Sequence, residues 1–145
     1  MEIASKFVLF HERFGETTLS YDKNGNLNYC NYPVIDYLKQ FCLYKAATYQ
    51  GRKSAMLTLT NYRQKLPIYI GKDIFYFPIF GSKASENYWV CYNFITEVKN
   101  RDGASEIHFT GDFKYLIPTN KRIIIRQMKR CENYLLLLKE MNLVI

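Results

Sequence analysis

The chain has 145 residues, 48% of them hydrophobic and 23% charged, which fits one folded domain with a modest core. No apolar run reaches the roughly 18–20 residues that a membrane span needs, and the N-terminus, with Glu2, Lys6 and a short apolar patch, is not a secretory leader, so the expected location is the cytoplasm. The net charge of +7 points to a polyanionic partner.

Aromatic residues make up 17% of the chain, as half-buried sheets require. Phe7–Phe10 reads as a strand. Thr18–Tyr21 and Leu27–Tyr32 flank Lys23-Asn24-Gly25-Asn26, a hairpin signal because Asn and Gly accept positive φ. Pro33 ends that strand. Val34, Leu38, Phe41 and Cys42 fall at helical spacing and predict a short helix. A second helix is expected over Thr48–Leu59, interrupted by Gly51, whose role is backbone conformation. Strands follow over Leu66–Ile70, Ile74–Phe80, Tyr88–Val98, Glu106–Thr110 and Phe113–Ile117. Gly71-Lys72-Asp73 and Gly111-Asp112 read as tight turns, and Pro67 and Pro78 belong at strand starts, edges or bulges. Thr119-Asn120 then caps a last helix. Its stripe of Ile124, Met128, Cys131, Leu135 and Leu138 is apolar. At about 100° per residue, Arg122, Arg126 and Lys129 fall opposite, with Lys121 and Arg130 toward the flanks. The fold class is therefore α+β: a single domain over residues 1–145, an antiparallel strand meander with short central helices and a long C-terminal amphipathic helix.

Charge is unevenly placed along these elements. Residues 1–36 sum to −2, 37–72 to +7, 73–113 to −3 and 114–145 to +5. Between Tyr37 and Lys72 there is no Asp or Glu, against Lys39, Lys45, Arg52, Lys53, Arg63, Lys65 and Lys72. Two basic blocks separated by acidic ones look like a built surface, although two solvated faces would give the same pattern. Catalytic and metal chemistry find little support. His11 and His108 lie far from any Cys or His at ligand spacing, so neither a metal site nor a cofactor is expected. Gly51-Arg52-Lys53-Ser54 lacks the glycine pattern of a phosphate loop, and Glu97 and Asp102 sit in a polar turn. Cys30, Cys42, Cys91 and Cys131 show no Cys-x-x-Cys spacing and are expected as small buried hydrophobes. Trp89 and Phe77-Pro78 are expected in the core.

Several strings, taken in order, resemble a known family. They are Gly51-Arg52-Lys53, Lys65-Leu66-Pro67-Ile68, Ile74-Phe75-Tyr76-Phe77-Pro78, Ser82, Trp89-Val90, Ile107-His108-Phe109 and Gln127-x-x-Arg130. The ComK competence transcription factors are similar: a Gly-Arg-Lys step, a Lys-x-Pro-Ile strand, a Phe-Pro-Thr-x-Ser turn, a Cys-x-Trp strand and a late Gln-x-x-Arg. Order and spacing agree from about Val34 to about Arg130. Ile79 stands where the family has Thr, and Asn87 where it has Cys.

The resemblance implies a bacterial DNA-binding activator of DNA-uptake genes. It implies recognition of double-stranded AT-rich boxes through the minor groove, as a homodimer or higher oligomer on DNA. It further implies recognition by a proteolytic adaptor. By motif, Arg52, Lys53, Lys65 and Arg130 occupy family positions. By charge, the expected DNA contacts are Arg52, Lys53, Arg63, Lys65, Arg122, Arg126, Lys129 and Arg130. Two other readings stay open. The chain ends soon after the last helix, where longer members continue, which fits a diverged relative that modulates a full-length partner without activating. A β-rich module for RNA is the third.

Overall fold

Runs of aromatic and β-branched residues build the strands of the computed structural model, which describes residues 6–12 and 17–141. The first five residues, on which the absence of a leader rests, lie outside the described residues. Strands β1 (Lys6–His11), β2 (Thr18–Asp22) and β3 (Leu27–Cys30) form a meander. Helices α1 (Val34–Tyr44) and α2 (Tyr49–Leu59) follow. The chain then enters β4 (Ile68–Gly71), β5 (Ile74–Pro78) and β6 (Asn87–Cys91). Six antiparallel strands make one sheet in the order β3-β2-β1-β6-β5-β4. Strands β7 (Ile95–Arg101), β8 (Ala104–Phe109) and β9 (Lys114–Ile117) make a second, three-stranded sheet. Helix α3 (Lys121–Glu140) closes the described chain.

The large sheet is buried on both faces along its central strands, while the edge strand β3 is exposed. Successive residues of a strand point to opposite sides, and β6 shows it directly. Trp89 and Cys91 join Leu38 and Phe41 of α1 in one core, while Val90 joins the other. That second core holds Phe75 and Phe77 of β5, Ile107 of β8, and Ile124, Cys131 and Tyr134 of α3. The architecture is thus α1 on one face of the six-stranded sheet, and the small sheet with α3 on the other, an α+β domain as expected. A bulge in β1 between Lys6 and Val8 lets Phe7 and Val8 both enter the α3 core. Cys42, Cys91 and Cys131 are buried, and the half-buried Cys30 thiol lies 2.8 Å from the Tyr37 hydroxyl.

Three local expectations change, and the expected tight turn at Gly71-Lys72-Asp73 is found. The expected strand Tyr88–Val98 is two strands in two sheets, broken by a 3-10 turn at Tyr92–Phe94. The turn is fixed by Asn93, whose side chain accepts from the Phe75 amide at 2.9 Å and donates to the Asp73 carbonyl. Gly51 does not interrupt α2. It occupies the third helical position, where its amide donates to Thr48 Oγ1 at 3.0 Å, and a Cβ there would stand 2.9 Å from that oxygen. In the β2–β3 turn only Gly25 is left-handed (φ 76°), and Asp22 Oδ1 accepts from the amides of Asn24 and Asn26. In the β4–β5 turn Lys72 and Asp73 both take positive φ beside Gly71.

The buried stripe of α3 is also shifted from the expected one. Ile124, Gln127, Cys131, Tyr134 and Leu138 are buried, whereas Met128 and Leu135 flank the stripe and are half-buried. Asn120 caps the helix, accepting from the Ile123 amide. Gln127 is 1% exposed, and its amide nitrogen donates to the carbonyls of Lys65 and Pro78, both at 2.8 Å. Pro78, last residue of β5, has no amide hydrogen but keeps a buried carbonyl, and Gln127 satisfies it. Replacing Gln127 with Leu leaves two carbonyls without this donor. The expected loss is about 2–4 kcal/mol in urea unfolding, and a loss below about 1 kcal/mol would show that the amide does not hold α3.

The small sheet carries the ion pairs found among the described residues. Arg101 Nη2 bonds both Glu106 oxygens at 2.9 and 3.0 Å, and His108 Nε2 lies 2.7 Å from Glu106 Oε1. Arg101 first, then His108, holds the Glu106 carboxyl at about 2, below the ordinary 4.5. A depressed carboxylate stabilises the fold fully above the unfolded value and loses that contribution as pH falls through the folded one. Stability should therefore drop between pH 4.5 and about 2. Denaturant unfolding across that window should show a smaller drop in Glu106→Gln.

Candidate nucleic-acid interface

The segment joining α2 to β4 carries two of the expected contact residues and is held from both sides. At its start, Arg63 Nη1 donates to the carbonyls of Leu57, Thr60 and Tyr62 at 3.1, 3.1 and 2.7 Å. Those carbonyls lie at the negative end of α2, where a cation is favoured. Arg63 caps the helix and remains exposed. Lys65 takes a left-handed backbone, φ 53°, which costs a non-glycine residue energy unless its surroundings enforce it. They do so here. The Lys65 carbonyl accepts from Gln127 Nε2 and from Arg130 Nη1 at 3.4 Å, and the Gln64 carbonyl accepts from Arg130 Nη1 at 2.8 Å. The Arg130 guanidinium also lies 4.5 Å from the centre of the Tyr62 ring.

These bonds bring together the two basic blocks that the sequence separates. Burial first, then the charges of Arg126 and Arg130, lowers the Lys65 ammonium below its ordinary value. Arg122, Arg126 and Lys129 are exposed and share one face of α3 at spacings of four and three. Among the described residues, every ion pair involves Lys99, Arg101 or His108. Among these described residues, no carboxylate neutralises any of the eight cations expected to contact DNA.

The eight do not form a single surface. Arg52 is folded onto β4, with its guanidinium 5.0 Å from the Tyr69 ring centre and Nη2 3.5 Å from the Ile70 carbonyl. Arg130 is likewise committed to Gln64, Lys65 and Tyr62. Lys53, Arg63 and Lys65 instead line a cleft of about 700 Å³. The far wall is the β5–β6 loop with Lys83, and Trp89 and Pro78 lie between. No carboxylate lines it among the described residues. Burial pushes the His11 imidazole, also on this cleft, below its ordinary 6.5, so it adds little positive charge at neutral pH. Lys83 was missed because it belongs to a block whose net charge is negative, and charge summed along the chain hides a cation that the fold isolates. No group of three or more metal-ligating side chains occurs among the described residues.

The family model described as ComK protein matches residues 3–142. The chain belongs to the ComK family. The family is one of competence-related transcription factors. Neither a curated protein nor a solved structure matches the chain. The ComK motifs can now be placed by what they do locally. The Gly-Arg-Lys step begins α2: Gly51 lets the Thr48 cap close, Arg52 turns to β4, and Lys53 turns to the cleft. The Gln-x-x-Arg pair is the clamp on residues 64 and 65. Asn87, the departure from Cys, is 3% exposed. Its Oδ1 accepts from the amides of Phe80 and Tyr88 at 2.8 and 2.9 Å, and its Nδ2 donates to the Phe80 carbonyl at 2.9 Å. Ile79, the departure from Thr, is fully buried.

Lys65 combines a disfavoured backbone with repulsion from two arginines. Asn tolerates the left-handed region and carries no charge. Lys65→Asn should therefore raise the urea midpoint at low ionic strength, and the gain should shrink at high salt as screening weakens the repulsion. A lower midpoint at low salt would mean that the lysine stem, not its charge, dominates at this site.

Proposed function

We propose that the chain is a cytoplasmic, double-stranded-DNA-binding transcriptional activator of competence genes that recognises AT-rich sites through the minor groove. The observation that carries this reading is the basic surface where Lys65 meets Arg126, flanked by Arg122, Lys129 and Arg63, none with a carboxylate partner among the described residues. Like charges held together without acidic partners cost stability, and a polyanion relieves that cost. A-tracts present a narrow minor groove of enhanced negative potential that draws in arginine. The degenerate base edges there distinguish AT from GC pairs. Arg122 and Arg126, one turn apart and exposed, suit that groove, while Lys53, Lys65 and Lys129 suit flanking phosphates. Self-association on DNA is assigned to β3, an edge strand with Leu27 and Tyr29 54% and 63% exposed.

The test is binding to an AT-box duplex, a GC-rich duplex and a single strand across a salt series. If about six cations neutralise phosphates, the log–log salt slope on the AT duplex should be about −5. Arg126→Ala should reduce its magnitude by about one unit without unfolding the protein. Arg130→Ala should instead lower stability, because it releases the Gln64 and Lys65 carbonyls. Equal affinity for all three nucleic acids would sink the reading.

A further inference from the structure

The cleft contains one cation outside both basic blocks, and the wall that carries it is built with care. The loop from Ile79 to Glu86 leaves β5 and returns to β6 with Ser82 and Lys83 exposed near its tip. Its base is closed by the Ile79 amide on the Tyr88 carbonyl at 3.0 Å and by the three bonds of Asn87. A further turn, Ala84 N to Gly81 O at 3.1 Å, braces the tip. Opposite stands the 60–67 segment, fixed by Gln127 and Arg130. Both walls are thus tied to buried hydrogen bonds, and the cleft between them is preformed.

The distribution of charge narrows what fits between them. Cations reach the cleft from three separate places: Lys53 from α2, Arg63 and Lys65 from the connecting segment, and Lys83 from the loop. They come from different elements of the fold rather than from one. A compact anion needs convergent donors, whereas a sugar–phosphate chain, with one charge at each nucleotide, needs separated ones.

We propose that this cleft seats one sugar–phosphate strand of the bound DNA, with Lys83 contacting it from the loop side and Asn87 as the positioning residue for Lys83. The proposal rests on the DNA-binding reading and adds the path of a strand, a contact and its support. Lys65 then has a double place, facing the cleft and lying beside Arg126 of α3, so a strand leaving the cleft passes directly onto the helix surface. Trp89, the single tryptophan of the chain, lines the cleft and is 7% exposed, so its emission reports occupancy.

The experiment is a salt series on the AT-box duplex with wild type, Lys83→Ala, Asn87→Ala and the double variant, with Arg126→Ala alongside. Urea unfolding is run on each. Lys83→Ala should cut the magnitude of the slope by about one unit and leave the urea midpoint unchanged. Asn87→Ala should weaken binding, and the double variant should bind no worse than Lys83→Ala alone, because a residue that acts through Lys83 has nothing left to position. A merely structural Asn87 would give additive losses, which overturns its role. If Asn87→Ala does not fold, Lys83→Ala and Trp89 still decide the path of the strand. A slope reduced by Arg126→Ala but not by Lys83→Ala overturns the strand path while the DNA reading stands. No duplex binding by wild type overturns both. Deoxyadenylate alone shifting Trp89 emission as fully as the duplex would make the cleft a small-anion site and overturn the strand proposal.

Discussion

The side chain of Gln127 is the hinge on which the arrangement depends. An amide removed from water costs several kcal/mol unless its hydrogen bonds are replaced, and among the apolar residues of the α3 core few partners exist. Gln127 finds two carbonyls from separate segments of the chain, those of Lys65 and Pro78. Lys65 precedes β4, and Pro78 ends β5 and begins the loop to β6. One amide therefore fixes α3 against the roots of both cleft walls. Hydrophobic burial of Ile124, Cys131, Tyr134 and Leu138 drives the helix onto the sheet, but it is non-directional and tolerates sliding. The two hydrogen bonds set the register, and with it the positions of Arg122, Arg126 and Lys129.

Arg130 shows how charge and architecture are divided in this surface. Its guanidinium is spent on the Gln64 and Lys65 carbonyls and the Tyr62 ring, so it contributes mainly by holding Lys65 in place. Arg52 does comparable work at β4. Arginine suits such positions because a planar fork satisfies carbonyls and stacks on aromatic faces at once. The remaining cations have no carboxylate partner among the described residues. A fold stabilised only for itself would place a carboxylate among them, as it does at Glu106 with Arg101. The contrast between a small sheet that pairs acid with base and a basic end that does not is what supports the proposed DNA contact there.

Much of the fold was legible because periodicity reports burial directly. The β2–β3 hairpin, α1 and α3 follow from alternation, helical spacing and caps, and these are local signals. What was not legible depended on tertiary partners. Tyr88–Val98 is a continuous β-forming run, and its break arises from Asn93 bonding across to β5, 18 residues away. Gln127 is polar and was left out of the apolar stripe, although it lies at the centre of the buried face. Arg52 and Lys53 are adjacent and alike in sequence, yet one meets Tyr69 and the other the cleft. Nothing in a charge count separates them, because the direction of a side chain is set by the packing of α2 against β4. Lys83 illustrates the converse, a cation given meaning by its isolation in space.

The departure at Asn87 bears on how this member differs from its family. A cysteine at this position offers one weak donor and one weak acceptor. It could not replace three hydrogen bonds to Phe80 and Tyr88 of the kind the amide makes. The β5–β6 loop of this chain is therefore held more tightly at its base than a cysteine would hold it. Less conformational entropy is then lost when its tip meets a ligand. Ile79 acts in the same direction: its side chain is buried beside Phe77 in the α3 core, which anchors the first residue of the loop by apolar contact where the family has a hydroxyl. Both substitutions exchange a polar or reactive position for a firmer one. Both lie at the foot of the wall that carries Lys83, so both help to fix that wall against the sheet.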